Sequence, residues 1–367
     1  MAQAIWLKSS NLLSGTSPEV CSLLMGFAGR LPLALSLLAS AWSLRSREGP
    51  PPQTLFAEPP AGYTFQRFGV SEDGKSACGL FHFETKADIT QHDVVVAVAT
   101  YAGRHEMMRS KHYPFHTQQL PPGALLVYFT NSAMEGQMIS ATDNSTDTSY
   151  QAAQDRFMHV WRFVASDCLG TGRMRWFLML DDDAVVSFGR LGIFMRAFEK
   201  TVGDPLKQQQ LLGRTTTWMK RPEVFGGNGI LATGALMQAL GKLPGSAWSK
   251  AVSDTIYDGQ HFYYDATISM LVRGPTFPAN VMRRFLSGPF GIKLWLNNVQ
   301  DQVNRVLVRC GGVPRSEYES CMSFEGSAKL AITLHKVKTP ATWEAASYIF
   351  SKFGTPKVSD YSKFFVE

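Results

Sequence analysis

Three consecutive carboxylates, Asp181, Asp182 and Asp183, close the run Arg175 to Val186, RWFLMLDDDAVV, and residues of this type at this spacing point to cation chemistry. Adjacent carboxylates repel one another unless a cation or several donors share their charge. Hard carboxylate oxygens suit Mg²⁺ or Mn²⁺, ions commonly held by one or two carboxylates together with substrate phosphates. Trp176 to Leu180, just before the acids, has no polar side chain for a solvated face and reads as an inner strand of a covered sheet. The acids then stand at its carboxyl end, the edge at which open α/β sheets bind ligands. On an extended backbone Asp181 and Asp183 point one way and Asp182 the other. A lone acid after a strand often only opens a loop or caps a helix; three directly abutting a strand favour a metal or nucleotide site.

Four other places hold residues able to serve such a site. Arg104, Arg109, Lys111 and His112 follow an early β-branched run on an expected helix, where they either reach a phosphate or solvate that face. Gly226, Gly227 and Gly229 precede an expected helix in Phe225 to Leu240, FGGNGILATGALMQAL; they permit a tight turn or let backbone approach a ligand closely. Asp265 opens an apolar helix within Asp258 to Val272, either capping it or acting as a general base facing the triple Asp. His335 ends the strand-like Leu330 to Lys338, LAITLHKVK, as a structural imidazole or as a metal ligand. Trp218, Lys220 and Trp248 are possible acceptor or donor contacts.

The elements that must position these residues follow from periodicity. Asp93 to Tyr101, DVVVAVATY, and Ala124 to Thr130, ALLVYFT, are expected buried strands. Gln210 to Gly213 has the length of a further short strand. Tyr150 to Cys168 places Phe157, Val160, Trp161 and Val164 on one helical face, and Phe188 to Phe198 repeats the spacing through Leu191, Phe194, Met195 and Phe198. Alternating strand and helix argues for a parallel, doubly wound α/β sheet.

Composition sets outer limits. A chain of 367 residues that is 45% hydrophobic and 18% charged builds a sizeable core, which excludes global disorder. The net charge of +6 comes from scattered Lys and Arg rather than a basic helix or motif, so nucleic acid is excluded as a partner while an anionic ligand is favoured. The five cysteines make no zinc spacing. Cys310 and Cys321 are near enough to clip a short loop, pairing of Cys78 with Cys168 is open, and all four serve equally well as buried thiols. Val20 to Leu44 is long enough to span a membrane, although Arg30 and Pro32 interrupt it. The expected organisation is a short cytosolic tail over 1–21, a signal anchor or signal peptide over 22–44, a proline-rich stem over 45–88 and a catalytic domain over 89–367. Asn144-Ser145-Thr146 is a glycosylation acceptor pattern, consistent with a lumenal address.

Taken in this order, the stretches resemble the Fringe-like β-1,3-glycosyltransferases, the group that includes Fringe and the core-1 galactosyltransferases. WFLMLDDDAVV is similar to that family's acidic metal motif. RPEVFGGNGILATGALMQAL resembles its proline, glycine-rich turn and helix, in which the glycines line the donor pocket. YYDATISML is similar to a segment with two adjacent acids, Thr and a helix, and LHKVKTP resembles the late His segment that completes the metal site. The resemblance runs from about residue 93 to 345. Two departures stand out: Tyr264 occupies the place of the family's first paired acid, and GPTFPANVMRRF after Arg273 lacks a histidine often found there.

The resemblance implies a single GT-A-type, Rossmann-like domain with a mixed, mainly parallel sheet flanked by helices, behind an N-terminal anchor and stem. It implies Mn²⁺ or Mg²⁺ on Asp183 and His335, with Asp181 meeting the metal shell or the ribose, and a UDP-sugar bridged by that ion beside the three glycines; Asp182, Arg104 and Arg109 are the further candidate contacts to that donor from the residues themselves. Asp265 would be the catalytic base for inverting transfer to a glycan or glycoprotein. A lumenal domain on the Golgi membrane as a single-pass type II protein, and a homodimer, are the accompanying expectations. Two other classes compete: a metal-dependent phosphohydrolase or nucleotidyltransferase, and a non-catalytic, chaperone-like relative in the secretory pathway.

Overall fold

Strand β2, Val94–Ala99, reads VVVAVA and is buried along its whole length, so its two faces must each be covered by apolar partners. They are. Val95, Ala97 and Ala99 join one core with Phe157, Val160, Trp161 and Val164, the face expected of the helix that proves to span Tyr150–Ala165 (α1). Val94, Val96 and Val98 join a second core with Leu191, Phe194 and Phe198 from the helix Phe188–Thr201 (α2). The result is a sheet between two helical layers, the arrangement that lets both faces of a β-branched strand leave water.

The computed structural model describes residues 75–83, 92–143, 145–218, 221–257, 261–285, 289–293 and 328–366. The apolar segment 22–44, the glycosylation acceptor Asn144, Lys220 and the pair Cys310 and Cys321 lie outside the described residues. Among the described residues no helix is long and apolar enough to cross a membrane.

The remaining strands are β1 (His82–Phe83), β3 (Ala124–Thr130), β4 (Ser140–Thr142), β5 (Trp176–Asp181), β6 (Ala184–Val186), β7 (Leu211–Trp218), β8 (Arg221–Val224), β9 (Ile230–Thr233), β10 (Met282–Phe285), β11 (Phe290–Lys293) and β12 (Thr333–His335). The main sheet runs β1-β4-β3-β2-β5-β9-β7-β10, with β8 paired to β7. Strands β4, β3, β2 and β5 are mutually parallel, and β10 is parallel to β7. The parallel, doubly wound reading from periodicity gives way to the mixed, mainly parallel sheet that the resemblance implied: β9 is antiparallel to both β5 and β7, β8 to β7 and β1 to β4. Ile230–Thr233 was expected to belong to the helix after the glycines; it is instead a strand, and the helix α3 begins at Gly234 and ends at Gly241. Its four residues are all buried, and a short apolar run of this kind has no period to separate strand from helix.

A second, three-stranded sheet, β11-β12-β6, lies beyond the acidic strand end. Strand β6 follows Asp183 directly and pairs antiparallel with β12, His335 opposite Ala184. Helices α4 (Gly245–Ser253), α5 (Tyr264–Leu271), α6 (Pro340–Lys352) and α7 (Val358–Ser362) complete the described elements, with a helical run over 102–117 that contains a π turn at Met108–His112.

Residues 75–83, placed by the sequence in the stem, belong to the folded body. Ala77 and Phe81 are buried, β1 pairs with β4, and Cys78 is disulfide-bonded to Cys168 across 90 residues. Trp248 is 5% exposed and packs in the first core, which removes it from the candidate ligand contacts.

Candidate metal centre at the end of β5

The site is built where the two sheets meet. β2 and β5 pair in register, Ala99 against Asp181, so Thr100 lies beside Asp182 and its hydroxyl donates to Asp182 Oδ2 at 3.2 Å. Arg104 Nε stands 3.8 Å from the same oxygen. Asp182 thus turns toward the start of the helical run. The extended backbone expected through the acids ends at Asp181; Asp182 and Asp183 form a turn before β6, and that turn brings Asp183 to the same side as Asp181, toward His335 of β12. Asp183 Oδ1 is 2.9 Å from His335 Nε2, and Asp181 Oδ2 is 4.0 Å from it. The backbone fixes this meeting twice, through the β6–β12 ladder and through the Val337 N–H, which donates to the Asp183 carbonyl at 2.8 Å.

Asp181, Asp183 and His335 form a group that could hold a metal ion, with one ligand atom from each and all three within 4.8 Å of one another. The donor set fits a hard divalent ion. With ligand bonds of about 2.1 Å, octahedral neighbours lie about 3.0 Å apart and opposite ligands about 4.2 Å apart, close to the 2.9 and 4.0 Å separations to the imidazole. Electrostatics agree. Loss of hydration, then Asp183 and Asp182, push the Asp181 carboxyl well above its ordinary value. Burial raises Asp182 to about 6 even though Arg104 opposes it. Burial works against the charge of Asp183 as well, but His335 and Lys338 outweigh it and hold that carboxyl well below the ordinary range. Burial and mutual repulsion thus disfavour the charged forms of Asp181 and Asp182, a cost that a bound divalent ion would offset.

Two lysines that the sequence reading did not single out complete the cluster. Lys338 Nζ is 2.8 Å and Lys336 Nζ 3.3 Å from Asp183 Oδ2. Lys336 has φ of 71°, a left-handed backbone unusual outside glycine, and it ends β12 so that residues 336 and 338 both reach one oxygen. A Lys-x-Lys directly after the candidate ligand His was the available signal.

The glycine turn lies over the imidazole. Gly226–Asn228 is a single 3₁₀ turn, and a side chain at Gly227 would collide with the His335 ring. Phe225 meets that ring edge to face at 5.8 Å, and the Thr333 hydroxyl donates to the Asn228 carbonyl. Gly226 is required because its neighbour is the Tyr264 phenol, which any side chain there would strike. Gly229 has φ of 84°, a region favouring glycine, and closes the turn through its N–H to the Gly226 carbonyl at 2.7 Å. Each glycine thus answers to a contact inside the protein, and Gly227 borders the candidate ion site directly.

Asp265 faces the same turn. Its Oδ2 accepts the Gly226 N–H at 2.8 Å and its Oδ1 the Ala266 N–H at 2.9 Å. Burial raises its carboxyl above the ordinary value while those two N–H groups pull it back. Tyr263, not Asp265, is the N-cap of α5, so the capping alternative gives way to a carboxylate that braces the glycine turn. Tyr264 is buried, stacks on Phe157 at 4.0 Å and belongs to the core.

Arg109 and His112 are not brought to the cluster. Arg109 pairs with Glu106 and, at 3.4 Å, with Glu135. His112 is fully buried and bonds the Tyr128 hydroxyl and the Ala184 carbonyl, each at 3.0 Å.

No family model and no curated protein matches the sequence. Among solved structures, the chain is similar to a glycosyltransferase involved in the glycosylation of the major capsid of PBCV-1, at 11% identity and a TM-score of 0.38, over 70% of this chain and 98% of that one.

Proposed function

We propose that this protein is a metal-dependent, inverting glycosyltransferase that moves a hexose or N-acetylhexosamine from a UDP-sugar to a glycan or glycoprotein, through a β-1,3 linkage as in the Fringe-like enzymes it resembles. The observation that carries the reading is the convergence of Asp181 and Asp183 from β5 with His335 from β12, beneath a glycine turn braced by Asp265. A bound Mn²⁺ or Mg²⁺ supplies charge stabilisation for a leaving diphosphate. Lys336 and Lys338 add positive charge on one side of the cluster and Arg104 on the other. They favour an anionic leaving group more strongly than the intact donor, which is what lowers the barrier.

Asp265 is the group in this reading that takes the proton of the acceptor hydroxyl as it attacks the anomeric carbon, and a single displacement inverts configuration. Its raised carboxyl makes it a stronger base than an ordinary Asp, and each oxygen, holding one N–H, keeps a lone pair for the incoming hydrogen. The disulfide between Cys78 and Cys168 supports an oxidising compartment, which accords with a lumenal catalytic body on the Golgi membrane behind a signal anchor or signal peptide over 22–44.

The test is a donor screen by thermal shift with UDP-Gal, UDP-GlcNAc, UDP-GalNAc and UDP-Glc, each with Mn²⁺ and with chelator. One UDP-sugar is expected to raise Tm in the presence of Mn²⁺ only, and UDP release is expected to depend on acceptor. Equal protection in chelator, or phosphate release without acceptor, would sink the proposal and favour the phosphohydrolase class.

A further inference from the structure

Tyr150 is 62% exposed, an unusual position for a large ring at the first turn of a helix whose other face is deep core. Its N-cap, Ser149, takes the Ala152 N–H and fixes the helix start, so the ring is presented from a rigid base. Tyr263 meets it edge to face at 6.3 Å, and Tyr257 lies parallel to Tyr263 at 4.9 Å and 4°. Both are half-buried. The group is tied to the candidate site by backbone: the Tyr264 N–H donates to Gln154 Oε1 at 2.9 Å, one turn along α1 from Tyr150, and Asp265 stands two residues after Tyr263. Loss of hydration is the first influence that pushes the Tyr150 phenol up, followed by Tyr263, Asp265 and Asp181. Both carboxylates therefore lie within electrostatic range of that ring.

We infer that Tyr150, backed by Tyr263 and Tyr257, is a stacking surface for a pyranose ring of the acceptor, which it holds beside Asp265. A pyranose has an apolar C–H face that suits an aromatic ring and a rim of hydroxyls that suits carboxylate acceptors, and this surface offers both. Tyrosine provides such a contact at low cost in conformational freedom, with a hydroxyl to reach the sugar rim. The position rests on the glycosyl-transfer reading: a base at Asp265 serves only if the acceptor is held on its open side. The metal cluster supplies the donor half of such a site, and among the described residues no other exposed large ring lies close to it.

Saturation-transfer NMR on the full-length protein, irradiating aromatic protons, is the test, with N-acetyllactosamine and the methyl glycosides of galactose and N-acetylgalactosamine as probes. At least one probe is expected to receive saturation in the wild-type protein, to lose it in Tyr150→Ala and to keep it in Tyr150→Trp. In transfer assays Tyr150→Ala should raise acceptor KM roughly fivefold, with donor thermal shift in Mn²⁺ unchanged. The unchanged donor shift shows that the variant is folded and separates this inference from the functional proposal, which fails if the wild-type protein shows no ion-dependent donor shift at all. Signals indifferent to Tyr150→Ala, or no saturation of any probe, would each overturn the inference.

Discussion

Asp183 is the residue on which the site turns, because its two oxygens divide the work: Oδ1 faces His335 and Oδ2 faces two lysines. Replacing it by Asn keeps the shape and removes the charge. Asp183→Asn is expected to weaken Mn²⁺ binding on the order of 100-fold while leaving the far-ultraviolet spectrum intact, as read by ion titration of donor-induced thermal shift. An unaltered titration would remove Asp183 from the ion site. Gly227 offers a test that leaves the ligands themselves untouched. A methyl group there would press on the His335 ring, so Gly227→Ala should cost about 1–3 kcal/mol by overpacking and lower ion affinity, whereas the same change at Gly189, where the added methyl meets nothing within 4 Å, should leave ion affinity unchanged.

Among the elements, β12 has the largest task for its length. Three residues must hold His335 against β6, and only four residues separate it from α6. Arg190, 1% exposed, secures this arrangement from α2. Its guanidinium donates to the carbonyls of Ala328 and Ala331 before β12, and to those of Ile349, Phe350 and Gly354 at and beyond the end of α6. These last carbonyls are the unsatisfied acceptors of a helix C-terminus, where a cation is also favoured by the dipole. Thr339 caps the other end of α6 by taking the Thr342 N–H. Arg190→Met would leave several buried carbonyls unpaired, so a loss of roughly 3 kcal/mol or more is expected in urea unfolding. Because β12 loosens with α6, Mn²⁺ affinity should fall in the same variant. A stability loss without change in ion affinity would show that the anchor and the site are independent.

For the molecule as a whole, buried imidazoles set an acid limit. His112 and His116 are fully buried and bonded to β6: the His112 ring reaches the Ala184 carbonyl, and His116 Nε2 accepts the Val186 N–H. Burial lowers His112 to about 4 and His116 well below the ordinary value, and it lowers His159 to about 4. In the unfolded chain these groups take up protons near 6.5; in the folded chain His112 and His159 do so only near 4, and His116 well below its ordinary value. Stability from this source is complete above about pH 6.5 and falls as pH drops toward 4, by about 1.4 kcal/mol per pH unit for each imidazole. Urea titrations at pH 7.5, 6 and 5 should show that decline, and His112→Asn should make it shallower. A stability that is flat across this range would mean that the imidazoles do not stay neutral in the fold.

The central strands, both long helices and the acidic end of β5 were legible because each is a local pattern: an unbroken β-branched run, a 3.6-residue apolar repeat, and a charge cluster against an apolar strand. The candidate ligands Asp181, Asp183 and His335 could be named from residue type and order, with the family resemblance supplying their common purpose. Strands β6 and β9 were not legible, since runs as short as AVV and ILAT carry no usable period and acquire their state from the partners they meet. The disulfide between Cys78 and Cys168 and the arrest of His335 opposite Ala184 were equally beyond the linear chain. Periodicity and residue type act over a few positions, so they belong to the sequence alone. The 2.9 Å meeting of groups 152 residues apart, Asp183 and His335, depends on sheet registers and on Arg190 tying α6 in place, contacts that exist only once distant segments are packed together.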